Sequence, residues 1–186
     1  MPANIEIKAR IVDIKATSKL VERISDSKPE SIYQEDTFFF SSKGRLKLRI
    51  FTDKSGELIY YERPDTCEPG LSEYQRTKLE NPAYIKKWFS EMFGIRGTVR
   101  KQRILYTAGS TRIHLDKVDT LGDFLELEVV LKPGDTVEKG KKIAERLMNQ
   151  LEIDPRNLIS CAYIDLLCPR DSEGNPDTGI NGTKFV

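Results

Sequence analysis

Charged residues recur at every second position in five short stretches of this sequence, the spacing that gathers side chains on one face of a strand. In NIEIKARI, Asn4, Glu6, Lys8 and Arg10 share a face opposite Ile5, Ile7, Ala9 and Ile11. In GRLKLRIF the shared face is Arg45, Lys47 and Arg49, and in RKQRILY it is Lys101 and Arg103. TRIHLDKV groups Arg112, His114 and Asp116, while FLELEVV groups Phe124, Glu126 and Glu128. Bases stacked along a strand repel one another unless an anion or opposite charges compensate them. The grouped carboxylates are hard oxygen donors suited to Mg²⁺ or Mn²⁺. Bases beside a carboxylate-held divalent ion are the parts a polyphosphate site needs. The same alternation also fits an open antiparallel sheet whose charged face meets water, and periodicity alone weighs these two readings evenly.

The elements that must position these residues follow from the same period. Strands are expected at 4–12, 32–40, 45–52, 57–63, 71–79, 97–107, 110–117 and 123–131, separated by turn pairs such as Ser55-Gly56 and Pro69-Gly70. Helical spacing predicts helices over 16–27, capped by Thr17 or Ser18, over 82–93, from Asn81-Pro82 to Gly94, and over 135–150, capped by Asp135. A short helix is expected near 158–167, followed by a disordered polar tail over 168–186. The economical architecture is α+β, a single antiparallel sheet or barrel with helices packed outside.

Composition narrows the function classes. The chain has 186 residues, with 30 bases against 29 acids and a formal charge of +1, which disfavours a coat for duplex nucleic acid. An RNA-binding β-domain would interleave exposed aromatics with bases, whereas carboxylates accompany the bases here. No apolar run is long enough to span a membrane, and the start carries no secretory pattern. The three cysteines, Cys67, Cys161 and Cys168, lack metal-ligand spacing, so reduced thiols and a cytoplasmic location are expected.

The ordered series of motifs resembles a known family. NIEIK looks like the ExExK signature of the CYTH superfamily, the triphosphate tunnel metalloenzymes. QEDTFF, LKLR, YYERP, KQR, RIHLD and LGDFLELE then follow in the order expected of that superfamily, so the likeness spans residues 4–167. The stretch from KQRILYTAG to LGDFLELE looks most like the class IV adenylyl cyclases and their relatives. The resemblance implies a CYTH-like domain over 1–167: a closed eight-stranded antiparallel β-barrel whose interior binds a triphosphate and a divalent ion, Mg²⁺ or Mn²⁺. Carried over by motif, Glu6, Asp116, Glu126 and Glu128 hold metal, while Lys8, Lys47, Arg49, Arg63, Lys101, Arg103 and Arg112 hold phosphate oxygens. Glu6, Lys8 and Glu126 are the implied catalytic residues. The family's first glutamate is replaced by Asn4, a neutral oxygen donor that would hold a second metal less tightly.

Three activities fit this constellation. In a cyclase, the ribose 3′-hydroxyl of ATP attacks the α-phosphate, giving cyclic AMP and pyrophosphate. In a triphosphatase, water attacks the terminal phosphate of tripolyphosphate, thiamine triphosphate or a nucleoside triphosphate. A non-catalytic sensor of polyphosphate or nucleotide would bind without turnover. The cyclase-like reading leads because the likeness is closest there. The implied partner is a small triphosphate, with no nucleic acid or membrane, and a homodimer is compatible with the chain. Among single residues, His114 is expected to be a satisfied structural histidine, and Trp88 with its helical neighbours to be core. Tyr60 and Tyr61 should face opposite ways, and Phe38, Phe39 and Phe40 should build core or barrel wall.

Overall fold

A computed structural model describes residues 2–169. Apart from Cys168 and Pro169, the expected tail lies outside the described residues. The alternating stretches form eight strands: β1 (Ala3–Arg10), β2 (Glu30–Phe39), β3 (Arg45–Phe51), β4 (Gly56–Glu62), β5 (Gly70–Leu79), β6 (Ile95–Ala108), β7 (Thr111–Val118) and β8 (Gly122–Val130). They close into a barrel in the order β1-β5-β4-β3-β2-β6-β7-β8, every neighbouring pair antiparallel. Hairpins build β2 to β5 and β6 to β8, and β1 joins the two sets by pairing with both β5 and β8. Closure removes every free edge, and the period of two then sends one face of each strand inward.

The charged face is the inner one. Ile5, Ile7, Ile113, Leu115, Leu125 and Leu127 on the outer wall are buried against helices α1 (Ile14–Ile24) and α3 (Val137–Gln150). Val21 of α1 and Leu147 and Met148 of α3 complete that packing. Gly140 brings α3 close to the wall: a Cβ there would lie 2.6 Å from Ile5 Cγ1. The α1 cap is Asp13, whose Oδ1 accepts from the amides of Lys15 and Ala16, so the helix starts before the expected Thr17 or Ser18. Thr136 caps α3, while the expected cap, Asp135, accepts instead from the Lys132 amide and the Lys139 ammonium.

Helix α2 (Pro82–Phe93) runs between the expected ends, with Asn81 accepting from the Tyr84 amide and Gly94 at φ 71° ending it. Its burial differs from expectation. Trp88 is 51% exposed, and Tyr84 and Met92 are also exposed; Pro82 is the buried residue of the helix, and Phe89 meets Phe39 edge-on at 5.5 Å. The helix packs on β2 and β3, and Trp88, one residue and so about 100° round the helix from Phe89, points away from that contact. Trp88→Ala is therefore expected to change stability by no more than about 0.5 kcal/mol, against about 3–5 kcal/mol for a core tryptophan. A urea melt measures this, and the emission of this sole tryptophan should already be that of a solvated indole.

A short 3₁₀ turn (Pro155–Asn157) leads to α4 (Tyr163–Leu167), which lies over one end of the barrel and not along its outside. Asp165 seats it, accepting from Arg45 at 2.8 Å, Arg96 at 2.6 Å and the Ala162 amide at 3.0 Å. Gly97 makes room beneath it, since a Cβ there would meet Ile164 Cδ1 at 2.7 Å. Among the described residues, no helix is long and apolar enough to cross a membrane.

Candidate functional site

The barrel encloses a cavity of about 280 Å³, at the small end for a ligand site. β1 contributes Asn4, Glu6 and Lys8; β3 contributes Lys47 and Arg49; β6 contributes Lys101 and Arg103; β7 contributes Arg112 and His114; and β8 contributes Glu126 and Glu128. Arg63, just beyond β4, joins them, with Tyr163 of α4 at the covered end. Every expected site residue except Asp116 thus lines one cavity. Eight bases and five carboxylates line it, and this excess of base calls for an anion from outside.

The charges are already arranged in sets. Asp36 on β2 accepts from Lys47 Nζ at 2.8 Å, Arg49 Nε at 2.6 Å and Arg49 Nη2 at 2.7 Å. Burial opposes ionisation of Asp36, yet Arg49 and Lys47 hold its carboxyl far below the usual range. Asp116 plays the same part on β7, with β6 between it and β2. It is fully buried and accepts from Lys101 Nζ at 2.8 Å, from Arg103 Nε and Nη2 both at 2.6 Å, and from the Tyr163 hydroxyl at 3.1 Å. Burial opposes its ionisation too, and Arg103 and Lys101 overcome that. Asp116 does not line the cavity, which sets it apart from the other carboxylates of the expected metal set.

Glu6, Glu126 and Glu128 are brought together by register: Glu6 pairs with Glu128 and Lys8 with Glu126 across β1 and β8. Burial first, and then the charge of Glu128, push the Glu6 carboxyl up to about 6. Its nearest base, Arg63, is 3.6 Å away and also donates to the Ser160 carbonyl at 2.9 Å. Glu128 is held at about 2: burial would raise it, but His114, Arg112 and Arg103 outweigh that. Glu126 accepts from Arg103 Nη2 at 2.6 Å and pairs with Lys8 at 3.2 Å. The Lys8 ammonium also donates to the Cys161 carbonyl at 3.2 Å and lies 3.9 Å from the Tyr163 ring centre. Arg112 Nε donates to Glu128 Oε2 at 2.7 Å.

His114 is not the satisfied histidine expected. It is buried, and its Nδ1 has no hydrogen-bond partner, lying 3.6 Å from Glu128 Oε1 and 3.7 Å from Glu126 Oε2. One ligand atom from each of His114, Glu126 and Glu128 falls within 4.8 Å of the others, so these donors fit a divalent ion. Asn4 Oδ1 and Gln34 Oε1 are further buried acceptors without partners.

Sequence reasoning missed Asp36, Gln34 and Tyr163. The first two carried a signal, since alternation along β2 puts Ile32, Gln34, Asp36 and Phe38 on one face, and all four line the cavity. Tyr61 lines it while Tyr60 turns outward to donate to Glu62 at 2.7 Å. Phe38 lines the cavity, Phe39 packs on α2, and Phe40 is exposed, outside both core and wall.

Comparison with known proteins bears on the same barrel. The chain is 26% identical over 172 residues to a candidate adenylate cyclase of Methanocaldococcus jannaschii, covering 87% of this chain and 97% of that protein. It superposes on the PH1012 protein of Pyrococcus horikoshii with a TM-score of 0.78 and 25% identity, covering 88% of this chain and 98% of that one. A Hippeastrum adenylyl cyclase candidate described as having a dominant triphosphatase activity shares the fold, with a TM-score of 0.61, 16% identity, and 88% and 92% of the two chains covered. The CYTH domain is matched over residues 2–163, nearly the whole of the described chain, and the protein belongs to that family.

Proposed function

We propose that the barrel is a metal-dependent enzyme acting on a triphosphate, with cyclisation of ATP to cyclic AMP and pyrophosphate as its reaction. The observation that carries this reading is the barrel cavity itself, in which bases exceed carboxylates and Glu6, Glu126 and Glu128 cluster along β1 and β8. Lys47 and Arg49 on β3 and Lys101 and Arg103 on β6 flank β2, so a phosphate chain lying over that strand gains charge-assisted hydrogen bonds from both sides. Asp36 and Asp116 hold those bases in place before a ligand arrives, which removes reorganisation from the reaction step.

Glu126 and Glu128 would hold the divalent ion, which when bound supplies Lewis-acid charge stabilisation at the phosphates. Glu6, beside Glu128 in the β1–β8 ladder, is the carboxylate of this cluster that would take the proton of the attacking hydroxyl. Lys8, beside Glu126, neutralises charge building on the reacting phosphate. The cyclase reading is supported by the likeness to the M. jannaschii protein. Hydrolysis is the second reading, favoured by the small cavity with α4 over one end, which suits a phosphate chain more than a whole nucleoside.

The deciding experiment incubates the protein with Mg²⁺ or Mn²⁺ and ATP, GTP, thiamine triphosphate or tripolyphosphate, and identifies products. Cyclic nucleotide with pyrophosphate supports the cyclase, and orthophosphate supports the hydrolase. Tight binding without product removes the enzyme and leaves a sensor.

Phosphate binding should also depend on pH in a stated direction. Burial and then Arg49 bring Lys47 down to about 8, against the pull of Asp36. A bound phosphate favours the charged ammonium, so affinity for tripolyphosphate should fall as pH rises through about 8. Above it, affinity falls by up to about tenfold per pH unit as Lys47 loses its proton. Calorimetric titration measures this, and Lys47→Arg should move the fall to higher pH.

A further inference from the structure

We propose that His114 is a ligand of the cation held by Glu126 and Glu128, and that its nitrogen makes the site select a divalent transition ion over Mg²⁺. The inference rests on reading the barrel as a metal-dependent triphosphate site. His114 sits directly across from Glu126 in the β7–β8 ladder and is 3% exposed. Its Nδ1 is buried without a hydrogen-bond partner while two carboxylate oxygens flank it beyond hydrogen-bond reach. An imidazole nitrogen flanked by two carboxylates beyond hydrogen-bond reach is stabilised by a positive centre between them, either a cation or the nitrogen's own proton.

The separations suit that centre. Bonds of about 2.1 Å to one ion would set neighbouring donor atoms roughly 3.0–3.4 Å apart. The observed 3.6 and 3.7 Å from the nitrogen need to close by only a few tenths of an ångström, and all three donor atoms lie within 4.8 Å of one another. The flanking oxygens also have capacity to spare. Arg112 binds Glu128 through Oε2, leaving the Oε1 that faces His114. Glu126 Oε2 accepts from Arg103, and a carboxylate oxygen has a second acceptor position.

One imidazole among carboxylates changes which ion is preferred. Mg²⁺ favours an all-oxygen octahedron and keeps its waters, whereas imidazole nitrogen is a good donor to first-row transition ions. Coordination through Nδ1 places the ring proton on Nε2. The competing arrangement is a protonated Nδ1 resting between two carboxylates, with the cation bound by oxygen alone.

The test exploits a property of the sequence: His114 is its sole histidine. Tag-free protein labelled only with ¹⁵N-histidine is loaded with Mn²⁺ alone and studied by pulsed electron spin-echo envelope modulation. A nitrogen modulation that changes with the label and vanishes in His114→Gln is the expected result. In that variant Mn²⁺ affinity should fall about tenfold or more while Mg²⁺ affinity stays nearly level. Bound Mn²⁺ without histidine modulation in the unmutated protein overturns the proposal, and this reading does not require the variant to fold. If that protein still binds tripolyphosphate in a metal-dependent way, only the role of His114 has failed. Absence of Mn²⁺ binding would remove both this inference and the metal-dependent reading beneath it.

Discussion

Asp116→Ala should lower stability by about 3–5 kcal/mol, because it strands two buried bases without their carboxylate. Lys101 and Arg103 are both nearly inaccessible and both donate to Asp116, as does Tyr163 of α4. The lost counter-charge can be replaced from outside. Tripolyphosphate at a hundred times its dissociation constant should return about 2.7 kcal/mol by mass action. Chemical denaturation with and without tripolyphosphate gives both quantities. If Asp116 serves instead as a metal ligand, as the family resemblance implies, the loss appears mainly in Mn²⁺ affinity and only slightly in stability. The two roles therefore leave different signatures in a single variant.

Glu126→Gln should have the opposite signature. Glutamine keeps the length and one carbonyl oxygen but cannot offer the charge, so metal affinity should fall about 10–100-fold. Metal-dependent triphosphate binding or turnover should fall with it. Burial opposes the Glu126 charge, and Lys8, Lys101, His114 and Arg103 sustain it, so the carboxylate is ionised at any working pH. Glu57, also in the lining but near Arg76 on the far wall, provides the comparison. Glu57→Gln should leave metal affinity unchanged. Equal loss in the two variants would show that the cavity responds to total charge and not to a specific site, and no loss in Glu126→Gln would remove that residue from it.

Most of the strand architecture was legible because strand period is a local property. The alternation in KARI, LKLRI and LELEV follows from backbone geometry within each segment, so faces were assigned correctly without knowledge of the partner strands. Helix ends with strong local chemistry, such as Asn81-Pro82 and Gly94, were equally readable. Trp88 was misread for the complementary reason. Helical spacing shows that an apolar stripe exists, but the width of that stripe covered by a neighbour depends on how many elements pack there, and Trp88 points away from the contact of α2 with β2 and β3.

The charged strand faces, and the residues that share them, belong to the sequence alone: Glu6 with Lys8, Lys47 with Arg49, Lys101 with Arg103, Glu126 with Glu128. Tertiary structure decided that those faces turn inward, since β1 must find both β5 and β8 to close the barrel. It also divided the carboxylates. Asp116 and Glu126 look alike in sequence, but Tyr163 arrives 47 residues after Asp116 to occupy it beside Lys101 and Arg103. His114 is left between Glu126 and Glu128 with a nitrogen unsatisfied. Pairings across strands and from a distant helix set each group's desolvation and counter-charge, and those two energies decide how strongly each carboxylate is held.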